Sequence, residues 1–208
     1  MSEYPEIYCS SEMGQLMAEG VEEIIGPVGF QAVLNLAKIS HLYHRGPEED
    51  QVSILPFADL TALQDALEEA YGPRGGRGIA LRAGRAAFTH LVQRHEAELG
   101  WSGIAFRLQP TQMRLTTGLK DLAGLLSRLC ETEFVVEVDP RCWRLRVELC
   151  PFCWQRSASE AVCHFLVGLV QEYFAWASSG KYHPVAEVEC KAAGSAACVL
   201  QIEKTPLD

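Results

Sequence analysis

Residues 131–149 read ETEFVVEVDPRCWRLRVEL. Phe134, Val136 and Val138 fall on one side of an extended chain, and Asp139-Pro140-Arg141 supplies a turn. Trp143, Leu145, Val147 and Leu149 then alternate with Arg144, Arg146 and Glu148. Side chains along a strand point to opposite faces in turn, so this stretch is a hairpin with one buried and one wet face.

Upstream of Cys130 the apolar residues recur every three or four positions, the helical period. Met13, Leu16, Met17, Val21, Ile24 and Ile25 form one stripe behind the cap candidates Ser10 and Ser11, and Gly26-Pro27 ends it. Phe30, Val33, Leu34 and Ala37 mark a second helix, and Gly46 to Asp50 a polar loop. Leu60, Leu63, Leu67 and Tyr71 point inward from a third helix that stops at Gly72-Pro73. The glycine-rich run Gly72 to Gly78 connects to a long helix through His90 and His95, and another helix starts near Thr116-Thr117. Downstream, Ser157-Ala158-Ser159-Glu160 has the form of a capping box. It opens a helix with Val162, Phe165, Leu166, Leu169, Tyr173 and Trp176 on its apolar side. Two last strands, Val185 to Cys190 and Cys198 to Ile202, meet around Gly194.

Helices first and strands last predict an α+β fold, an antiparallel sheet packed with helices, rather than alternating βαβ units. One domain over 1–208 is expected, mainly helical over 1–130, with the sheet, one helix and a metal site over 131–208. No internal repeat is expected.

Composition narrows the function. The 208 residues are 48% hydrophobic and carry a net charge of -9, which disfavours a nucleic-acid partner. No run approaches the roughly 18 apolar residues that span a bilayer. The opening MSEYPEIYCSSEMG lacks the basic and apolar segments of a secretory signal. A cytoplasmic protein with no membrane partner is the expectation.

Cysteines stand at 9, 130, 142, 150, 153, 163, 190 and 198. In a reducing compartment such a set reads as metal ligands plus buried thiols. A hairpin centred on Gly194 sets Cys190 across from Cys198. Glu187 precedes Cys190 by an odd number of residues, so both serve one ion only if a bulge falls near Val188. Cys163 sits in the opening turns of the capped helix, where backbone N–H groups favour a thiolate. Three sulfurs and a carboxylate are a plausible tetrahedral zinc set. A thiol cluster without metal, or a Cys190–Cys198 disulfide, are the alternatives. Cys150-Pro151-Phe152-Cys153 is a second thiol pair that either joins this site, binds its own ion, or stays free.

The segment CPFCWQRSASEAVCHFLVGLVQEYFAWASSGKYHPVAEVECKAAGSAACVLQIEK resembles the 4-vinyl reductase domain. The matching features are Cys163 with Gly168 five residues on, Glu187-x-x-Cys190, and Cys198 eight residues later. GVEEIIGPVGFQAVLNLAKIS and YGPRGGRGIALRAGRAAF also resemble stand-alone members. That family includes a bacteriochlorophyll-synthesis protein and the ligand-sensing domains of phenol-responsive activators. The resemblance implies a fold like TRAPP tethering subunits and NO-signalling ligand-binding domains, and a homodimer. It also implies zinc held by Cys163, Glu187, Cys190 and Cys198. No counterpart to the phenol-contacting histidine is present, so phenol is not the expected ligand.

Trp143, Phe165, Leu169 and Tyr173 are candidates to line an apolar ligand pocket, with ordinary core as the alternative. Arg82 and Arg85 share a helix face and would hold a carboxylate such as a porphyrin propionate, unless they are merely solvated. The run at 72–78 lacks both the GKS/GKT ending and the GxGxxG spacing of phosphate loops. His164 is a possible substitute ligand beside Cys163, and no catalytic set is found. The expected function is a zinc-containing protein that binds a hydrophobic or aromatic molecule, specifically a tetrapyrrole carrier or accessory factor. A genuine vinyl reductase is the second reading, although no dinucleotide fingerprint is present. A protein-interaction adaptor is the third.

Overall fold

The computed structural model describes residues 6–40 and 54–207. The polar loop at 46–50 and the histidines His41 and His44 lie outside the described residues. Strand β1 (Tyr8–Ser10) leads straight into helix α1 (Ser11–Ala37), whose Met13 N–H donates to the Ser10 hydroxyl at 3.4 Å. Strand β2 (Ile54–Pro56) pairs antiparallel with β1 and runs into α2 (Phe57–Leu99). The short α3 (Ile104–Arg107) and the amphipathic α4 (Thr111–Cys130) follow.

Both long helices break at the expected Gly-Pro and resume directly after it. Gly26 takes φ 73°, ψ 165° and Gly72 takes φ 73°, ψ 161°, each followed by a proline at the head of the resumed helix. Glycine accepts positive φ without a steric penalty, and proline needs no N–H partner at a first helical position. The expected breaks between helices are therefore present, and the glycine-rich run past Gly72 is helical rather than a loop. The kinks sit in matching strings, VEEIIGPVG at 21–29 and LEEAYGPRG at 67–75. The bend also turns Tyr71 outward, 44% exposed, where an inward position was expected.

The hairpin forms as read: β3 (Phe134–Val138) pairs with β4 (Cys142–Val147) in the register Val136 opposite Leu145. Helix α5 (His164–Ala177), β5 (Val185–Glu189), a 3-10 turn (Lys191–Ala193) and β6 (Cys198–Glu203) complete the chain. The sheet order is β3-β4-β6-β5, antiparallel throughout, with helices packed on it. The α+β expectation holds.

The capping box at Ser157–Glu160 does not start a helix. Glu160 instead pairs with Arg77 at 2.5 Å, and Ala158 N–H donates to the Ala192 carbonyl at 2.8 Å. Contacts to α2 and to the β5–β6 connection outcompete the local cap, and α5 begins only after Cys163. Helices α2 and α5 cross backbone to backbone. A Cβ on Gly84 would stand 2.0 Å from the Phe165 carbonyl oxygen, and one on Gly168 would stand 1.9 Å from that of Leu81. No helix among the described residues is long and apolar enough to cross a membrane.

Candidate metal centre

Three connections converge on the same end of the sheet. The first, Cys150 to Arg156, leaves β4 and is fastened to α2. Gln64 Nε2 donates to the Phe152 carbonyl at 2.8 Å, Arg156 Nε reaches Asp65 at 2.8 Å, and its Nη2 reaches Glu68 at 2.9 Å. The second ends at Cys163, the residue before α5. The third runs from β5 to β6. Glu187 pairs with Leu200 and Glu189 with Val199, so Val188 is an extra residue in the strand. That is the bulge the Glu187–Cys190 spacing demanded. The 3-10 turn and Gly194, at φ 93°, then bring the chain back to Cys198.

The sulfurs of Cys150, Cys153, Cys163 and Cys198 all lie within 4.8 Å of one another, and so do the donors of Cys163, Glu187, Cys190 and Cys198. Individual separations are 3.5 Å for Cys150–Cys163, 3.4 Å for Cys153–Cys198 and 3.8 Å for Cys163–Cys198. Glu187 Oε2 accepts the Cys163 backbone N–H at 2.8 Å, while its Oε1 is buried without a hydrogen-bond partner. Lys191 N–H donates to Cys198 Sγ at 3.4 Å. All five thiols are buried and none is in a disulfide.

Mutual hydrogen bonding splits their acidities. Cys150 first, then the other thiols, draw Cys153 far below the ordinary thiol range. The same neighbours, Cys150 first, push Cys163 and Cys198 above it. Burial raises Cys150 itself. A shallow groove of about 400 Å³, bordered by Cys150, Cys153, Gln155 and Lys191, connects the cluster to the surface. Six soft or anionic donors gathered in a buried recess beside this groove are suited to holding metal.

The other candidate residues do not gather. Trp143 packs on Phe174, centroids 5.1 Å apart, and its Nε1–H donates to Thr116 at 2.9 Å. Phe165 stacks on Phe152 at 5.5 Å, Leu169 is wholly buried, and the Tyr173 hydroxyl donates to the Leu115 carbonyl at 2.8 Å. Arg85 donates to Gln171 at 2.7 Å and Arg82 to the Gly78 carbonyl at 3.4 Å. His164 stands outside both donor sets. Burial, then Arg77, lowers its pKa and keeps it neutral. Sequence reasoning missed a groove of about 570 Å³ among Trp101, Phe106, Trp176, Arg107 and Arg114. Its rings lie 5.4 to 6.2 Å apart, and Arg114 Nε donates to the Ala177 carbonyl at 2.8 Å. Trp101, Phe106, Arg107 and Arg114 lie close in sequence, but only the fold brings Trp176 beside them.

No family model matches the chain, and no curated protein matches it in sequence. Solved structures do match in fold. An H-NOX mutant carrying 4-cyano-L-phenylalanine shares 11% identity over 95% of this chain and 98% of its own, with a TM-score of 0.58. An H-NOX protein from S. oneidensis in the Fe(II)NO state shares 14% over 93% and 98%, at 0.56. A protein described for heme redox potential modulated by porphyrin distortion shares 12% over 96% and 97%, at 0.57.

These neighbours correct two expectations. The fold's solved relatives are H-NOX proteins, so the assignment to the 4-vinyl reductase family does not stand. A Glu-x-x-Cys string with a distant cysteine records what a bulged hairpin needs to offer donors to one ion, and such a local pattern recurs by chemistry alone. The expectation of zinc falls with it, since heme iron is the metal named among the neighbours. Thiolate donors by themselves do not single out one soft metal.

Proposed function

We propose that the chain is a ligand-binding domain whose C-terminal half is fastened by a thiolate-bound transition-metal ion. The carrying observation is the convergence of the buried Cys163 and Cys198 sulfurs, 3.8 Å apart, with Cys190, Glu187, Cys150 and Cys153. Bonds of roughly 2.3 Å to a tetrahedral ion require sulfurs roughly 3.8 Å apart. Every position is filled by protein, so the ion's role is to hold three connections together rather than to activate water. Cysteines outside any disulfide suit a reducing cytoplasm.

Small-molecule binding draws support from the neighbours, which are described with heme and with NO. A heme needs an axial donor facing an apolar slot. The Trp101–Phe106–Trp176 groove is lined by no histidine, cysteine, methionine or tyrosine, and His183 is closed in between Trp143 and Phe174. The ligand in this reading is a smaller aromatic molecule in the Trp101–Phe106–Trp176 groove, with an anionic group toward Arg107 and Arg114. The tetrapyrrole carrier and the vinyl reductase drew their case from the corrected resemblance and are not carried forward.

Two measurements test this. Chain purified under reducing, chelator-free conditions should retain transition metal, and Cys163→Ser and Cys198→Ser should lose it and melt lower. Unchanged metal content and melting in both variants would overturn the metal reading. Anilinonaphthalene sulfonate, an anionic aromatic, should bind about tenfold more weakly to Trp176→Ala, a loss of about 1.4 kcal/mol. Equal affinity would remove the groove from the proposal.

A further inference from the structure

The six donors divide into two four-donor sets that share an edge. Cys150, Cys153, Cys163 and Cys198 make an all-sulfur set, and Cys163, Glu187, Cys190 and Cys198 make a set of three sulfurs and one oxygen. Cys163 and Cys198 belong to both, and their 3.8 Å separation is the edge length of a tetrahedral thiolate site. One ion would use one set and strand the remainder. Filling the all-sulfur set leaves Cys190 and Glu187 idle, with Glu187 Oε1 already buried and unpartnered. The Cys163 N–H satisfies only Oε2, and a buried carboxylate oxygen with no partner is unfavourable. Filling the other set leaves the Cys150–Cys153 pair idle, although Gln64 and Arg156 fasten that loop against the cluster.

Resting on the metal reading above, we infer that the centre holds two thiophilic divalent ions bridged by the thiolates of Cys163 and Cys198. Cys150 and Cys153 complete one ion; Cys190 and Glu187 complete the other. Each thiol that ligates gives its proton to solvent. Two divalent ions against five thiolates and one carboxylate leave a charge of -2 on the six-donor set. One divalent ion in four thiolates leaves the same -2, so the second ion adds no excess charge to the recess. The Lys191 N–H on Cys198 relieves part of the remainder, and the groove beside Cys150 and Cys153 provides the way in.

The test is Co(II) loading of the full reduced chain without oxygen, with excess ion removed. Native mass spectrometry should count two Co(II) per chain. Electron paramagnetic resonance intensity per cobalt should fall by more than half between the first and second equivalents, because a thiolate bridge couples the spins. One Co(II) per chain, or two without coupling, overturns the bridged centre and leaves the metal reading standing. No tightly bound Co(II) overturns both. Cys150→Ser/Cys153→Ser and Glu187→Gln/Cys190→Ser should each hold one ion, and two ions in either overturns the assignment. If a variant fails to fold, the wild-type count and coupling decide.

Discussion

Cys9 and Cys130 are buried thiols outside the centre, and burial governs both. It pushes Cys9 from 9.0 up to about 12, with Glu131 and Asp59 adding to the shift. Cys130 is raised by burial first and by Cys9 second. A raised folded value means the folded chain keeps a proton that the unfolded chain releases. The associated stability is fully present below pH 9 and drains as pH rises toward 12. The expected loss is about 1.4 kcal/mol per pH unit for each such thiol. Urea midpoints at pH 8 and pH 10 check this, and the drop should shrink in Cys9→Ala. The metal centre responds in the opposite sense. Cys163 and Cys198 hold their protons through neutral pH, so an incoming ion must displace them. Co(II) affinity should therefore rise with pH, about tenfold per unit for each proton released. A flat profile from pH 6 to 8 would show that those thiols do not ligate.

At the scale of the element, the α2–α5 crossing is the most exacting contact. Gly84 and Gly168 leave no room for a methyl group, because the obstacles are backbone carbonyls rather than flexible side chains. Gly84→Ala and Gly168→Ala should each cost about 2–3 kcal/mol, read as a lower thermal midpoint. A neutral result would mean the helices can slide apart. Such crossings explain what sequence could and could not convey. The β3–β4 hairpin and the bulge at Val188 were legible, because alternation and an odd Glu187–Cys190 spacing are local facts. The Gly-Pro breaks were legible; that helix rather than a loop follows Gly72 was not, because packing decides it. The false cap at Ser157 fails for the same reason, since Arg77 and Ala192 claim its neighbours from far along the chain. The β1–β2 pair, the Gln64 and Arg156 fastenings and the aromatic groove leave no local trace at all. Within the candidate centre, the convergence of Cys163, Glu187, Cys190 and Cys198 was readable. The convergence of Cys150 and Cys153 with them was only one of three options.

Across the whole molecule, stability divides between two unlike sources. The α1–α2–α5 side is apolar and close-packed, with Leu16, Val21, Leu63, Leu67, Ala83, Leu91 and Leu169 wholly buried. Apolar burial of that kind does not depend on metal. The opposite end consists of the connections within 150–163 and 187–198, with little regular structure, where the buried thiols stand beside Phe152, Val162 and small buried residues. Without an ion, so few large apolar side chains offset little of the entropy of ordering. Chelation should then open the molecule locally rather than globally. Hydrogen exchange after metal removal should speed up first at residues 150–163 and 187–198, then at the sheet edge β5, with α1 and α2 still protected. The fastening of Cys150–Arg156 to Gln64, Asp65 and Glu68 sets the limit of the opening, so exchange should fall off on reaching α2. If α1 and α2 lose protection together with the cysteine connections, the two ends form one cooperative unit, and the metal stabilises the entire fold.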